Sequence, residues 1–214
     1  MSTKAIVAVG LVAPLLTNTF DLSIAGVISL SSVMVSWLQT EYHWNMWAAM
    51  ALTLVVSLVC GAVNALLVVG IRINSFIATL ASGAVITALA EYTSGGVQVQ
   101  VPAGFKDVAK SQMFWGIQAK VGYLAVIAFV LWYVLEHTPA GRYMHATGDG
   151  PDAARLAGVQ TKRYIVLSLV ICSFVAGFAG IVSAAQTAGN ATAGGPYLLP
   201  AFAACFLGST QFLG

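Results

Sequence analysis

The amino-acid sequence predicts an all-α protein, a polytopic transmembrane helical bundle with one short helix on the cytoplasmic side. Of the 214 residues, 59% are hydrophobic and only 7% are charged, whereas about 25% of the residues of a soluble domain are charged. So few charges cannot cover the surface of a soluble protein of this size, and we therefore expect the lipid bilayer to surround the chain. The net charge of +2 and the lack of a basic run argue against a nucleic-acid partner.

Seven apolar segments are candidate spans, because a helix of roughly 20 apolar residues crosses a bilayer. The N-terminal segment has no clear small-residue cleavage site before a polar region, so we treat it as a retained span and not as a signal peptide. We expect one transmembrane domain over residues 1–214. Some of the segments are short for a span; they comprise residues 5–20, 22–38, 46–70, 75–92, 121–136, 164–185 and 197–214. Small residues near helical spacing in the sixth segment predict a packing face formed by Ser173, Ala176, Gly177, Gly180 and Ala184.

The stretch LTNTFDLSIAG, residues 16–26, places Asp21 between the first two apolar segments. A carboxylate at bilayer depth costs roughly 2.5 to 3.5 kcal/mol. The sequence therefore favours a break between two helices, in which Asp21 or Thr19 caps a helix that begins near Leu22. Non-helical backbone at this depth is tolerated where it is buried in protein or lines a cavity. A structural cap and a cavity wall are both open interpretations of Asp21, and they are compatible.

Two polar loops, residues 93–120 and 137–163, are expected on opposite sides of the membrane because one span separates them. Alternating Val and Gln at 97–101 in the first loop favours a strand, and Phe114 and Trp115 are typical of an interfacial anchor. Five basic residues fall on the side of the second loop, namely Arg72, Arg142, Arg155, Lys162 and Arg163, against Lys106, Lys110 and Lys120 on the other side. The positive-inside rule therefore places loop 137–163 in the cytoplasm.

Within this second loop, the stretch GDGPDAARLAGV predicts a helix of about two turns. Asp149 or Gly150 can cap its start, and Pro151 stands in the first turn, where a missing N–H is harmless. Asp152 complements the positive end of the helix dipole, and Gly158 can take the left-handed closing conformation. Such a helix is too short to be stable alone in water. It is therefore either a surface turn packed on its own protein or a knob that fits a groove on a cytoplasmic partner.

The stretch TPAGRYMHATGDGPDAARLAGVQTKRY resembles the cytoplasmic loop of the permease subunits of bacterial ABC importers for ribose, xylose, arabinose, galactose and related sugars. Three other stretches resemble the same family in order and spacing: AVGLVAPLLTNTFDLSIAGVISLSS, INSFIATLAS and AGGPYLLPAFAACFLGST. Two departures are Pro151 and Asn74, which stand where the family usually has asparagine and proline. In the loop the matching residues are Thr138, Gly141, Arg142, Ala146, Gly148, Ala153, Ala154, Gly158 and Arg163.

The resemblance implies a permease subunit in the bacterial inner membrane that forms the pathway for a monosaccharide delivered by a periplasmic binding protein. It also implies a second permease copy and a cytoplasmic ABC ATPase as partners. The chain has no GxxxxGKS or GxxxxGKT loop, so we expect no enzyme and no cofactor in it, with ATP and Mg²⁺ used by the ATPase. The coupling helix would be formed by Gly148, Asp149, Pro151, Asp152, Ala153, Ala154, Arg155, Leu156 and Gly158.

Neutral hydrogen-bonding side chains suit a sugar pathway, although each one taken alone is also typical of contacts between helices. The pathway or helix-break candidates are Asn18, Thr19, Asp21, Ser23, Asn64, Asn74, Gln186 and Asn190. No metal site is expected, because Cys60, Cys172 and Cys205 lie in apolar segments without metal-ligand spacing.

Compared with the family pattern, we expect the chain to be truncated at its C-terminal end and to lack the first family span. One alternative function is an ABC permease for branched-chain amino acids or another small solute. A further alternative is an ion-coupled secondary transporter, which would need intramembrane charges such as Asp21 and Glu91.

Overall fold

The computed structural model describes residues 2–111 and 118–210, and this part of the chain is a bundle of α-helices. A single π-helical turn, Leu66–Gly70, extends the third helix. The helices are α1 (Ser2–Leu16), α2 (Ile24–Thr40), α3 (Met46–Ala65), α4 (Ser75–Ser94), α5 (Ala103–Lys110), α6 (Ala119–His137), α7 (Pro139–Asp149), α8 (Pro151–Leu156), α9 (Thr161–Gln186) and α10 (Gly195–Thr210).

The central helix is α9, which packs against α1, α2 and α3. Its most apolar window is 61% buried, whereas the corresponding window of α3 is 28% buried. The predicted packing face of small residues is confirmed, because all five of its members are buried. A Cβ atom on Gly177 would meet Ser57 Oγ at 2.1 Å, and one on Gly180 would meet the Ile28 carbonyl oxygen at 2.5 Å. These glycines therefore let α3 and α2 approach α9 closely.

Four helices of the described part are long and apolar enough to cross a membrane: Met46–Gly70, Ser75–Ser94, Ala119–His137 and Thr161–Gln186. They match four of the predicted spans. The predicted first span, 5–20, is too long by four residues, because α1 ends at Leu16. The cause is local: the hydroxyls of Thr17 and Thr19 donate to the Pro14 carbonyl at 2.9 and 3.0 Å and so end the helix. The predicted last span, 197–214, coincides with α10 up to Thr210, and its remaining residues lie outside the described ones.

The two polar loops contain helices that the sequence did not predict. Helix α5 buries Phe105 and helix α7 buries Met144, so each is held by one apolar face. The predicted strand at 97–101 is reduced to one antiparallel bridge, in which Val99 N donates to the Gly189 carbonyl at 2.9 Å and Gly189 N donates back at 2.8 Å. The predicted anchor residues Phe114 and Trp115 lie outside the described residues.

The bundle has two ends, which we name by their loops: α7 and α8 mark the inner end, and α5 with segment 93–100 marks the outer end. Helix α1 runs from the outer to the inner end. Near its start, Thr3 Oγ1 accepts a hydrogen bond of 2.8 Å from Gln186 Nε2 at the end of α9. At its other end, the Leu16 carbonyl lies against Gly148 of α7, where a Cβ atom would approach the carbonyl oxygen to 2.1 Å.

Candidate functional site

The chain leaves the helical conformation between Leu16 and Ile24, inside the bundle, as the sequence predicted. Hydroxyl groups of α4 satisfy the backbone of this break. Phe20 N donates to Ser75 Oγ at 3.2 Å, and Leu22 N donates to Thr79 Oγ1 at 3.0 Å. Thr79 Oγ1 in turn donates to the Phe20 carbonyl at 3.1 Å. Since buried backbone groups need partners, α4 is the element that makes the break stable.

Asp21 is fully buried in this break and lies at the N-terminal end of α2. Its Oδ1 accepts hydrogen bonds from Ser23 N at 3.0 Å and from Ser23 Oγ at 2.5 Å. The helix begins at Ile24, two residues later than predicted. Thr19, the alternative cap, instead donates to the Pro14 carbonyl at 3.0 Å. The N-cap of α2 is Ser23, and among the described residues no side chain accepts a hydrogen bond from the first turn of the helix. The prediction that Asp21 or Thr19 caps this helix is therefore wrong: Asp21 instead bonds Ser23 in the turn that precedes α2.

A chain of polar side chains runs from Asp21 across the bundle. Asn64 Nδ2, on α3, donates to Ser23 Oγ at 2.6 Å, and Ser82 Oγ, on α4, donates to Asn64 Oδ1 at 2.5 Å. Asp21 Oδ2 has no hydrogen-bond partner in the part of the chain that the structure describes. The thiol of Cys172, on α9, lies beside this carboxylate. Four helices therefore converge on one buried polar group.

A second non-helical segment, residues 187–194, runs along α2 from the outer end towards its start. Asn190 N donates to Ser32 Oγ at 3.2 Å, and Gly194 N donates to Ser29 Oγ at 3.0 Å. A Cβ atom on Gly194 would meet the Ala25 carbonyl oxygen at 1.9 Å, so only glycine allows this approach. Helix α10 thus begins beside the first turn of α2. Interrupted helices that meet inside a bundle are typical of transporter binding sites.

The structure brings together Asp21, Ser23 and Asn64 of the predicted candidates and separates the others. Asn74 is exposed and caps α4, where its Oδ1 accepts from Phe76 N at 2.9 Å. Asn18 is exposed in a left-handed conformation with φ of 53°. The remaining three candidates also lie outside the Asp21 cluster. Thr19 bonds Thr17 and the Pro14 carbonyl at the end of α1, and Gln186 and Asn190 take part in the contacts with α1 and α2 described above.

Sequence reasoning missed the hydroxyl partners of the two breaks. Ser75 and Thr79 on α4 bind the first break, and Ser29 and Ser32 on α2 bind the second. A signal for the second pair was available, because Ser29, Ser32 and Ser36 follow helical spacing and share one face of α2. Ser75, Thr79 and Ser82 follow helical spacing in the same way and share one face of α4.

Helix α8 has the predicted capping and dipole features, but it is shorter than the predicted coupling helix, because Gly148 and Asp149 belong to α7. Pro151 stands in its first turn, Asp152 complements its start, and Gly158 takes a left-handed conformation with φ of 84°. Gly150 is the residue that precedes the first turn, whereas Asp149 ends α7. Of the two residues that the sequence offered as the cap of this helix, Gly150 is therefore the one that occupies the capping position.

One side of α8 is fixed to the bundle and the other is free. Ala154 is buried, whereas the Leu156 side chain is 92% exposed. Arg155 forms an ion pair with Asp152 and donates from Nε to the Pro151 carbonyl at 3.3 Å. A large apolar side chain therefore projects from the inner end next to a charged pair, as expected of a contact surface.

A family described as branched-chain amino acid transport system / permease component matches residues 1–214. The chain is 31% identical over 221 residues to the ribose import permease protein RbsC of Escherichia coli K12, covering 100% of this chain and 68% of that protein. The ribose import permease protein of Haemophilus influenzae is 27% identical, with 100% and 67% covered. The autoinducer 2 import system permease protein LsrC of Salmonella typhimurium is 29% identical over 211 residues, with 98% and 60% covered. No solved structure matches the chain.

Proposed function

This chain belongs to the family of branched-chain amino acid transport system permease components, and from that premise we propose that it forms the translocation pathway for a monosaccharide in an ATP-binding-cassette importer. The match over the whole chain to two ribose import permeases is the observation that supports a sugar most strongly. These relatives favour a sugar over a branched-chain amino acid. The apolar helices place the protein in the inner membrane.

Homologous ABC import permeases work with an ATPase and a periplasmic binding protein. For this chain, the exposed face of α8 is the contact surface for the ATPase. Leu156 and Ala153 supply its apolar contacts, and Arg155 supplies a polar one. Burial of a fully exposed leucine contributes roughly 1.5 to 3 kcal/mol, which makes Leu156 the main anchor. ATP and Mg²⁺ would be bound by the ATPase, and a second copy of the permease would complete the pathway.

The contact between α7 and α1 supports a mechanical link from the ATPase to the pathway. Helix α8 follows α7 directly, and Gly148 near the end of α7 touches the Leu16 carbonyl, where α1 ends and the break begins. A shift of α8 would move α7 and would push on the break at residues 17–23. The break is bonded to α4 through Thr79 and to α3 through Ser23 and Asn64. Movement at the inner end would thus reach α3 and α4, and also α2, which begins directly after the break.

Uptake by proteoliposomes tests this proposal. The chain is reconstituted with an ATPase and a periplasmic binding protein, and uptake of D-ribose is measured with ATP, without ATP, and with a proton or sodium gradient alone. We expect uptake only with ATP and the binding protein. Uptake driven by an ion gradient without ATP would favour a secondary transporter, and ATP-driven uptake of leucine without ribose would favour the amino-acid alternative; either result overturns the sugar-importer proposal.

A further inference from the structure

The outer end of the bundle holds a polar and aromatic cavity of about 510 Å³, which the break and α8 leave unexplained. We propose that it is an outer binding site for a neutral monosaccharide, occupied before the sugar enters the pathway. This site rests on the proposed function, because its ligand is the transported sugar. It is lined by Trp37, Thr40, Glu41, Tyr92, Thr93, Ser94, Gly95, Val97, Gln98, Val99 and Gln100.

A glycine turn and one backbone bridge shape the wall of this cavity. Gly95 and Gly96 both adopt left-handed conformations, with φ of 63° and 75°, and turn the chain back after α4. The antiparallel bridge between Val99 and Gly189 then holds the following segment extended. In extended backbone, side chains two residues apart point to the same face. The alternation of Val and Gln at 97–101 therefore places two amides, at 98 and 100, on one face of the segment.

The aromatic groups of the cavity suit the apolar face of a sugar ring. Tyr92 is 86% exposed at the end of α4, so its ring is accessible from the cavity. Trp37 is half-buried, and its ring packs edge-on against Tyr42 at a centroid distance of 4.8 Å. This contact fixes the indole at the cavity wall. Aromatic rings combine a large apolar surface with a polar group at one end, which matches a ring that carries C–H groups on one face and hydroxyls at its edge.

The polar groups of the cavity are free to bind hydroxyls. The side chains of Glu41, Gln98 and Gln100 make no hydrogen bond to any residue in the described part of the chain. An amide both donates and accepts, and a carboxylate accepts, so together they match hydroxyls that do both. Among the described residues, no lysine or arginine lines the cavity. A phosphorylated or otherwise anionic ligand would meet the Glu41 carboxylate without a cation, which is why the site favours a neutral sugar.

Helix α2 connects this cavity to the buried break. Trp37 and Thr40 belong to the last turn of α2, and Asp21 lies just before its first turn. Along the same helix, Ser36 lies against Gly189, where a Cβ atom would approach its Oγ to 2.6 Å. A sugar bound in the outer cavity would therefore lie at the C-terminal end of α2, and the break lies at the N-terminal end of the same helix.

Saturation-transfer NMR on the permease–ATPase complex in nanodiscs, without binding protein, tests the site. The probes are D-ribose, D-galactose and L-leucine. We expect saturation transfer to a sugar but not to leucine. The variants Tyr92→Ala and Gln98→Ala/Gln100→Ala should bind the sugar about tenfold more weakly, since each loses a hydrogen-bonding or packing group. The matched control is Tyr133→Ala on α6, where the tyrosine is 53% exposed and stacks on His137 near the inner end.

The outcomes separate this site from the proposed function. If the wild-type complex takes up sugar with ATP, but shows no saturation transfer and the variants transport normally, the outer site is overturned and the permease function stands. If the variants lose the stimulation of ATPase activity by the binding protein while no direct sugar contact is seen, the cavity is a docking surface for that protein, which also overturns a sugar site. Absence of ATP-driven sugar uptake by the wild type would instead refute the proposed function.

Discussion

Asn64 on α3 donates a hydrogen bond of 2.6 Å to Ser23 Oγ, and so ties a membrane-spanning helix to the first residues of a helix that begins inside the bundle. Ser23 uses the same hydroxyl to donate to Asp21 Oδ1 at 2.5 Å. The amide of Asn64 is occupied on its other side by Ser82 at 2.5 Å. Asn64 therefore has both of its amide ends bonded inside the apolar part of the bundle, and it joins the break to α4.

Replacement of Asn64 by Ala should destabilise the protein by about 0.6 to 1.7 kcal/mol, the range for hydrogen bonds between membrane helices. The physical reason is that Ser23 and Ser82 each lose a buried partner. Thermal unfolding of the detergent-solubilised protein measures the loss. In a double-mutant cycle with Ser82→Ala, the two effects should be less than additive, because both variants break the same hydrogen bond. If the two losses of stability add fully, Asn64 and Ser82 do not stabilise the protein through a shared hydrogen bond.

Two substitutions test the role of the Asp21 side chain: Asp21→Asn removes its charge, and Asp21→Leu removes its hydrogen-bond acceptor. Asp21→Asn keeps an acceptor for Ser23 N, so we expect an unchanged or slightly higher unfolding temperature, because an unpaired carboxylate is no longer buried. Asp21→Leu removes the acceptor of Ser23 N and Ser23 Oγ and should cost about 1 to 3 kcal/mol, because buried donors are left without a partner. Uptake of D-ribose by Asp21→Asn should be retained if the residue only holds the turn before α2. Loss of uptake in a stable Asp21→Asn protein would assign it a role in the pathway itself.

The sequence was sufficient for the fold class and for the break, and the reason is physical. A single charge among apolar residues raises the free energy of membrane insertion, so it is retained only where the structure needs it. This argument singled out Asp21. Small residues at helical spacing likewise predicted the buried face of α9. Both signals are local and strong, and neither depends on which helix becomes the neighbour.

The missed features depend on tertiary contacts. The spacing of Ser75, Thr79 and Ser82 places them on one face of α4, but it does not say that this face meets the break. Helices α5 and α7 are short and polar, and few of their described side chains are buried: Phe105 in α5, and Met144 with Thr147 in α7. The non-helical course of residues 187–194 depends on serines of α2 more than 150 positions away in the sequence. The helix propensities and hydrophobic pattern of a short stretch of sequence do not reveal these contacts between distant residues.

Gly148→Ala should uncouple the ATPase from transport. A Cβ atom at this position would stand 2.1 Å from the Leu16 carbonyl oxygen, so α7 has to move away from the end of α1. Sugar uptake should fall by about tenfold or more, since overpacking costs roughly 1 to 3 kcal/mol, while the ATPase still co-purifies with the permease because α8 is unchanged. The matched control is Gly150→Ala, whose Cβ atom would meet only Ala153 Cβ at 3.7 Å. Equal uptake by the two variants would contradict the proposed link through α7.

Leu156→Asp tests the contact surface for the ATPase without disturbing the bundle. The side chain is 92% exposed, so the substitution should leave the unfolding temperature of the isolated permease unchanged. Binding of the ATPase should weaken by about tenfold to a hundredfold, because burial of a leucine contributes roughly 1.5 to 3 kcal/mol and a carboxylate cannot replace it. Co-purification and surface-immobilised binding measure the loss, and Leu156→Met serves as the conservative control. If Leu156→Asp binds the ATPase as well as the wild type does, α8 is a surface turn of its own protein, and the coupling role passes to another part of the inner end.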